Sequence, residues 1–223
     1  MLFDAAGTLI ETAEPVGESY ARLARRSGVD LPAWRLEDAF RRVLRGAPPM
    51  AFPGAAPEAL SDLERDWWRR LVRATFLAAD GTARFADFEA FFAELFAHFA
   101  RPQSWRALPG SAEVLAALRG RGLATGVVSN FDQRLPAILE GLGLAALLDC
   151  VVLPGEVGVA KPDPAIFARA LARLGVRAEA AVFVGDRADE DLAGARAAGL
   201  RAIDVGDLAT LAELPARLAG GIP

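Results

Sequence analysis

Three residue types that often carry chemistry are nearly missing. The chain of 223 residues has one Cys, one His and one Lys. A lone cysteine, Cys150, excludes an intramolecular disulfide. A lone histidine, His98, leaves no material for a histidine-rich zinc site or a histidine-based triad. Basic residues are not in excess: 25 Lys and Arg stand against 29 Asp and Glu, for a net charge of −4. That balance gives no electrostatic footprint for nucleic acid. No apolar run approaches the ~18 residues a membrane helix needs, so no membrane partner is expected. Asp4 interrupts the apolar start and no basic stretch precedes it, which argues against a secretory leader. The expected setting is a soluble protein of a reducing compartment, the cytoplasm. The first strand is short, as it would be if a few residues preceded Met1.

What is present is a chain rich enough in apolar residues to fold, at 53% hydrophobic and 24% charged. Its length suits one sizeable core plus an insertion. Short apolar strands are expected at residues 1–4, 123–128, 147–153, 181–184 and 201–205. A turn at Gly7 follows the first, and the chain then restarts. Between 13 and 101 the pattern is helical, with helices near Pro15–Gly28, Ala33–Arg45, Pro57–Ala79 and Arg84–Ala100. Apolar residues recur there at three and four, as in Phe85, Phe88, Phe92, Leu95 and Phe99. Later helices are expected from Ser111 to about Gly120, over Asp132–Leu142, from Asp163-Pro164 to Gly175, over Asp189–Ala198 and over Leu208–Leu218. Buried strands alternating with helices mean a parallel sheet covered on both faces. The predicted fold is α/β: a doubly wound, five-stranded parallel sheet formed by 1–12 and 105–223. A helical cap over 13–104 is inserted after the first strand.

In doubly wound sheets, ligands sit at the carboxyl ends of the strands. Strand one ends at Asp4, with Gly7-Thr8 behind it. Strand two ends at Ser129-Asn130. Lys161-Pro162-Asp163-Pro164 follows strand three. Strand four ends at Gly185-Asp186, with Asp191 five residues on. Each has a plain alternative: a turn residue, a helix cap, or acids favoured by a helix dipole. All four strand ends pointing polar groups at one crevice is hard to assign to chance. Lys161 stands out because every other basic residue is Arg, so a compact ammonium is the exception here. His98, on a Phe-rich helix, reads as a packing or surface residue. One of Trp67 and Trp68 should pack while the other faces the cleft or solvent. Cys150, inside an apolar strand, is expected to be buried and inert.

The order DxxGT, SN, KPDP and GDxxxxD resembles the haloacid dehalogenase (HAD) superfamily of aspartate-nucleophile hydrolases. VVSNFDQRL and AKPDPAIFARAL are similar to its subfamily named for haloacid dehalogenase-like hydrolase domain-containing protein 3. The resemblance implies Asp4 as nucleophile and Lys161 as a point charge beside it. It implies Mg²⁺ held by Asp4, the backbone carbonyl of Ala6 and Asp186, with Asp191 supporting from behind. It implies Thr8, Ser129, the Asn130 amide and Lys161 as the phosphoryl-binding groups. The expected substrate is a small phosphorylated metabolite.

One position departs from the pattern. Phosphatases of the superfamily carry a second aspartate two residues after the nucleophile, which serves as acid and base. Here that position is Ala6, so turnover should be slow. Phosphonoacetaldehyde hydrolases also carry Ala there but need a cap lysine, and residues 13–101 contain none. Metal-independent dehalogenases carry Tyr there and lack the Gly-Asp pair supplied by Gly185-Asp186. The alternatives are a catalytically weak phospho-ligand-binding protein and, behind it, a metal-independent dehalogenase. A receiver domain does not fit, because its acceptor Asp lies on the third strand and it is smaller.

Overall fold

The computed structural model describes residues 1–219. Residues 220–223 of the predicted core lie outside them. The chain begins with β1 (Leu2–Phe3) and β2 (Ile10–Thr12), then four helices: α1 (Val16–Arg26), α2 (Ala33–Arg45), α3 (Leu60–Ala79) and α4 (Phe88–Phe99). β3 (Trp105–Ala107), α5 (Ser111–Gly120), β4 (Gly126–Val128), α6 (Leu135–Gly141) and β5 (Cys150–Val152) follow. The rest is α7 (Pro154–Val157), α8 (Pro164–Leu174), β6 (Val182–Gly185), α9 (Ala193–Ala197), β7 (Arg201–Asp204) and α10 (Leu214–Ala219).

Five strands form one sheet in the order β5-β4-β1-β6-β7. Every pairing in it is parallel, with Leu2 opposite both Gly126 and Phe183. Side chains alternate across it, as a two-residue period requires. Phe3, Val127, Val182 and Val184 pack on one face with Leu115 of α5, Leu139 of α6 and Leu214 of α10. Leu2, Val128, Val152 and Phe183 pack on the other with Phe167 of α8 and Ala195 of α9. Helices α1 to α4 gather around Tyr20, Leu36, Phe76, Phe91, Phe92 and Leu95, an apolar cluster of their own.

The strands are shorter than the apolar runs suggest. Leu123–Thr125 and Leu147–Asp149 approach the sheet without joining it. One backbone bond, Asp149 N to the Thr125 carbonyl at 2.8 Å, is joined there by side-chain bonds: Thr125 Oγ1 donates to the Leu147 carbonyl at 2.6 Å, and Thr125 N donates to Asp149 Oδ2 at 2.8 Å. The helix expected from Arg84 starts at Phe88, where Asp87 caps it by accepting the Ala90 N–H at 2.9 Å. The helix expected over Asp189–Ala198 opens as a π-turn, Ala188–Leu192, before α9. The two-stranded antiparallel pair of β2 with β3 was not legible in the sequence. It brings the entry to the helical segment and the exit from it side by side. Cys150 corrects its expectation: it is half-buried at the sheet edge, not enclosed. Burial still raises its thiol pKa.

Candidate active site

The central strand β1 delivers Asp4 to the carboxyl end of the sheet, where Asp4 N donates to the Val184 carbonyl at 2.9 Å. The loop behind it is tight. Ala5 O accepts the N–H of Thr8, Leu9 and Ile10 at 3.2, 2.8 and 2.9 Å. Gly7 makes the turn with φ of +93°, and a Cβ there would lie 2.5 Å from Asp186 Oδ2. Glycine is therefore required twice over, by conformation and by contact. Neighbouring β6 delivers Asp186, which opens to solvent and whose carboxylate accepts no hydrogen bond from another of the described residues.

Lys161 bridges the buried carboxylates. Its Nζ donates to Asp4 Oδ1 at 2.6 Å and to Asp191 Oδ1 at 2.5 Å. All three side chains are buried, Lys161 at 4% exposure and Asp191 at 0%. Burial works against the ammonium, but the carboxylates of Asp4 and Asp191 more than offset it and hold its pKa above the usual lysine range. The second oxygen of Asp191 accepts the N–H groups of Asp186 and Arg187 at 3.1 and 3.2 Å. Asp191 thus orients both the lysine and the turn that carries Asp186. Burial first, then the charges of Asp4 and Asp191, push the Asp186 carboxyl up to about 6.

Carboxylate oxygens of Asp4, Asp186 and Asp191 come within 4.8 Å of one another. Three carboxylates against one ammonium leave two negative charges uncompensated. Asp4 keeps one oxygen free of Lys161, Asp186 has no partner, and none of the loop hydrogen bonds ends on the Ala6 carbonyl. Two carboxylates and a carbonyl with a net deficit of two charges fit a hard divalent cation such as Mg²⁺.

The residues expected to bind phosphoryl oxygens are divided. Ser129 is buried at the end of β4, its N–H donating to the Val152 carbonyl at 3.2 Å. Thr8 is fully buried and its Oγ1 has no partner among the described residues. The side chain of Asn130 is engaged elsewhere, which leaves its backbone amide for the expected role. Its Oδ1 accepts the Lys161 N–H at 2.8 Å, and its Nδ2 donates to the Lys161 carbonyl at 3.0 Å and to Glu190 Oε2 at 3.2 Å. Asn130 therefore clamps the peptide of Lys161 in place. Its own backbone N–H, like that of Ala6, donates to nothing among the described residues. Glu190 was visible only as one of three successive acids, and nothing in that pattern marks it as Asn130's anchor.

The helical segment meets the site through the loop that follows Ser129-Asn130. Trp68 donates its indole N–H to Asp132 Oδ2 at 2.7 Å, while Trp67 is buried and donates to the Pro48 carbonyl at 3.0 Å. The two tryptophans thus split as the helical geometry predicts. Glu64, also on α3, takes the Gln133 N–H at 3.1 Å. His98 is partly buried, within hydrogen-bond distance of Ser19 and Ser104 and away from the carboxylates.

Comparison with known proteins shows the family. A relative from Danio rerio, haloacid dehalogenase-like hydrolase domain-containing protein 3, is 34% identical over 98% of this chain and 95% of its own. A phosphoserine phosphatase from Thermus thermophilus is 32% identical over 91% of this chain and 86% of its own. The crystal structure of a 2-haloacid dehalogenase from Pseudomonas syringae is 27% identical, with a TM-score of 0.65, covering 98% and 97% of the two chains. The family model of haloacid dehalogenase-like hydrolases matches residues 1–199. With a family model spanning most of its length and a relative 34% identical over nearly all of both chains, the chain belongs to the haloacid dehalogenase-like hydrolases.

Proposed function

We propose that this hydrolase is a Mg²⁺-dependent phosphatase acting on a small phosphorylated metabolite, with Asp4 as nucleophile and slow turnover. The observation that carries the reading is the charge deficit around Asp4 and the partnerless Asp186. Asp4, Asp186 and the Ala6 carbonyl would hold the ion, which supplies the positive charge that lets a carboxylate approach a phosphoryl dianion. The free oxygen of Asp4 attacks phosphorus. The bond from phosphorus to the ester oxygen breaks, leaving an acyl phosphate on Asp4. Lys161 donates to Oδ1 of Asp4, the oxygen whose remaining lone pair would face the ion, and so leaves Oδ2 as the attacking one. The backbone N–H groups of Ala6 and Asn130 are donors available to phosphoryl oxygens, while the Thr8 hydroxyl is enclosed. Water then cleaves the acyl phosphate at phosphorus, regenerating Asp4 and releasing phosphate. Ala6 can neither protonate the departing oxygen nor take a proton from that water.

A second reading has one observation in its favour. A halide leaves without a proton, so Ala6 costs a dehalogenase nothing at that step. Against it, the uncompensated Asp186 would repel the carboxylate of a haloacid. A panel of aryl, acyl and alkyl phosphates and 2-haloacids, assayed with Mg²⁺ and with chelator, separates them. The phosphatase reading expects metal-dependent phosphate release, fastest from aryl and acyl phosphates. Metal-independent halide release alone would overturn it. Stoichiometric phosphate binding without release would make the protein a phospho-ligand binder.

A further inference from the structure

The helical segment is joined to the sheet covalently only through β2 and β3. Its side-chain attachment concentrates on the loop of residues 131–134, directly after Ser129-Asn130. Asp132, at 1% exposure, takes the Trp68 indole and the fork of Arg134 at 2.8 and 2.6 Å. Arg134 lies 3.9 Å from the ring centre of Phe96 and donates to the Phe96 carbonyl at 3.2 Å. That part of the joint is satisfied. Glu64 is not. At 3% exposure it gives Oε2 to the Gln133 N–H, while Oε1 is buried without a partner. Gly155 presses so close that a Cβ there would lie 2.7 Å from that oxygen.

No free cation faces Glu64 among the described residues. From the loop, Asp132 and Arg134 are spent on each other. On its own helix, Arg65 lies over the rings of Phe92 and Phe96. Beyond Gly155, Glu156 is paired with Arg169 and Arg173. An ionised Glu64 would place a bare oxygen against the Gly155 backbone beside a second carboxylate, Asp132. A buried charge without a partner is costly, and the neutral acid avoids it.

We infer that Glu64 is a positioning residue for the helical segment: neutral, it lets α3 seat on the 131–134 loop; ionised, it loosens that seat. Because the loop continues from Ser129-Asn130, the seat decides how the helices stand over the site. That consequence rests on the reading under Proposed function; the seating itself does not. Burial pushes the Glu64 carboxyl up to about 7 from an ordinary 4.5, with the Gln133 N–H opposing and Asp132 reinforcing. The unseated carboxyl meets water and returns to its ordinary value. Seating is then strongest below that value, weakens as pH rises from 4.5 to about 7, and is level above. The full swing is about 10²-fold in the seating equilibrium.

Spin labels at Leu77→Cys on α3 and Leu123→Cys on the core use two exposed positions, in a Cys150→Ser background. Distance distributions measured from pH 4 to 8.5 should gain a longer component as pH rises, level above about 7. Glu64→Gln, and independently Glu64→Leu, should remove that dependence and keep the short distance throughout. In unlabelled wild type, protection of the Gln133 amide against exchange should fall about 10²-fold over the same range. Distances and Gln133 protection that ignore pH, or that respond alike in wild type and Glu64→Gln, overturn the inference. Phosphatase activity plays no part in either readout, so failure of the catalytic reading is seen separately.

Discussion

Replacing Lys161 with Met keeps the length of the side chain and removes the charge between Asp4 and Asp191. The ammonium makes hydrogen bonds of 2.6 and 2.5 Å to two buried carboxylates, one of them fully enclosed. Losing one partner of a buried ion pair costs about 3–5 kcal/mol, because the other charge is left uncompensated. For a chain of this size, 1 kcal/mol corresponds to about 2–4 °C in Tm, so the expected loss is roughly 6–20 °C. The loss should depend on pH. Burial already pushes the Asp191 carboxyl above its ordinary value, and without the lysine's opposing charge it titrates higher still. The folded variant then binds protons more readily than its unfolded chain, and its deficit shrinks as pH falls from 7.5 toward 5. Urea unfolding of wild type and Lys161→Met at both pH values reads this directly. Asp4→Asn in the Lys161→Met background should return part of the stability, since it removes one stranded charge. Lys161→Arg should fare nearly as badly as Met, because a planar fork needs more room than this enclosed point charge has. A deficit below about 1 kcal/mol at pH 7.5, or one that grows on acidification, would refute the reasoning.

Three further outcomes are expected. Gly7→Ala must force φ of +93° on a residue with a Cβ and push that atom to 2.5 Å from Asp186 Oδ2; calorimetry should show Mg²⁺ affinity reduced at least about tenfold in a folded protein. Mg²⁺ affinity of wild type should be level above about 6 and fall as pH drops below it, because the proton and the metal compete for Asp186, whose carboxyl is pushed up to about 6; isothermal titration at pH 7.5, 6 and 5 checks this. Trp68→Phe removes the indole donor from the enclosed Asp132 carboxylate and should cost about 1.5–3 kcal/mol in urea unfolding, with the site residues unmoved.

Much of this architecture follows from local pattern. The five strands and their parallel arrangement are legible because apolar runs at Leu2, Val127, Val151, Phe183 and Ile203 are bounded by Gly, Pro and helical periods. Asp4, Ser129 and Asp186 stand out because each directly follows an apolar strand run, and Lys161, in the loop between α7 and α8, because it is the one Lys of the chain. What escapes is set by tertiary contact. The hold of the Asn130 side chain on the Lys161 peptide, 31 residues away, leaves no mark in the local pattern. Glu190 matters through a partner 60 residues away, and Glu64 through one 69 residues away. The β2–β3 pair joins segments 95 residues apart at Glu11 and Arg106, beyond the reach of any periodicity.

The central claim is that Asp4 accepts a phosphoryl group and that Ala6 leaves the enzyme without the acid and base for rapid release. Rapid-quench kinetics with nitrophenyl phosphate and Mg²⁺, on wild type and Ala6→Asp with metal affinity measured alongside, tests it most directly. Wild type should release about one equivalent of nitrophenol per active site and then continue slowly. Ala6→Asp should shrink the burst and raise the steady rate, within the 10²–10⁴-fold typical of general acid–base help. Intact metal binding with no burst in wild type, and no faster turnover in Ala6→Asp, would contradict the account.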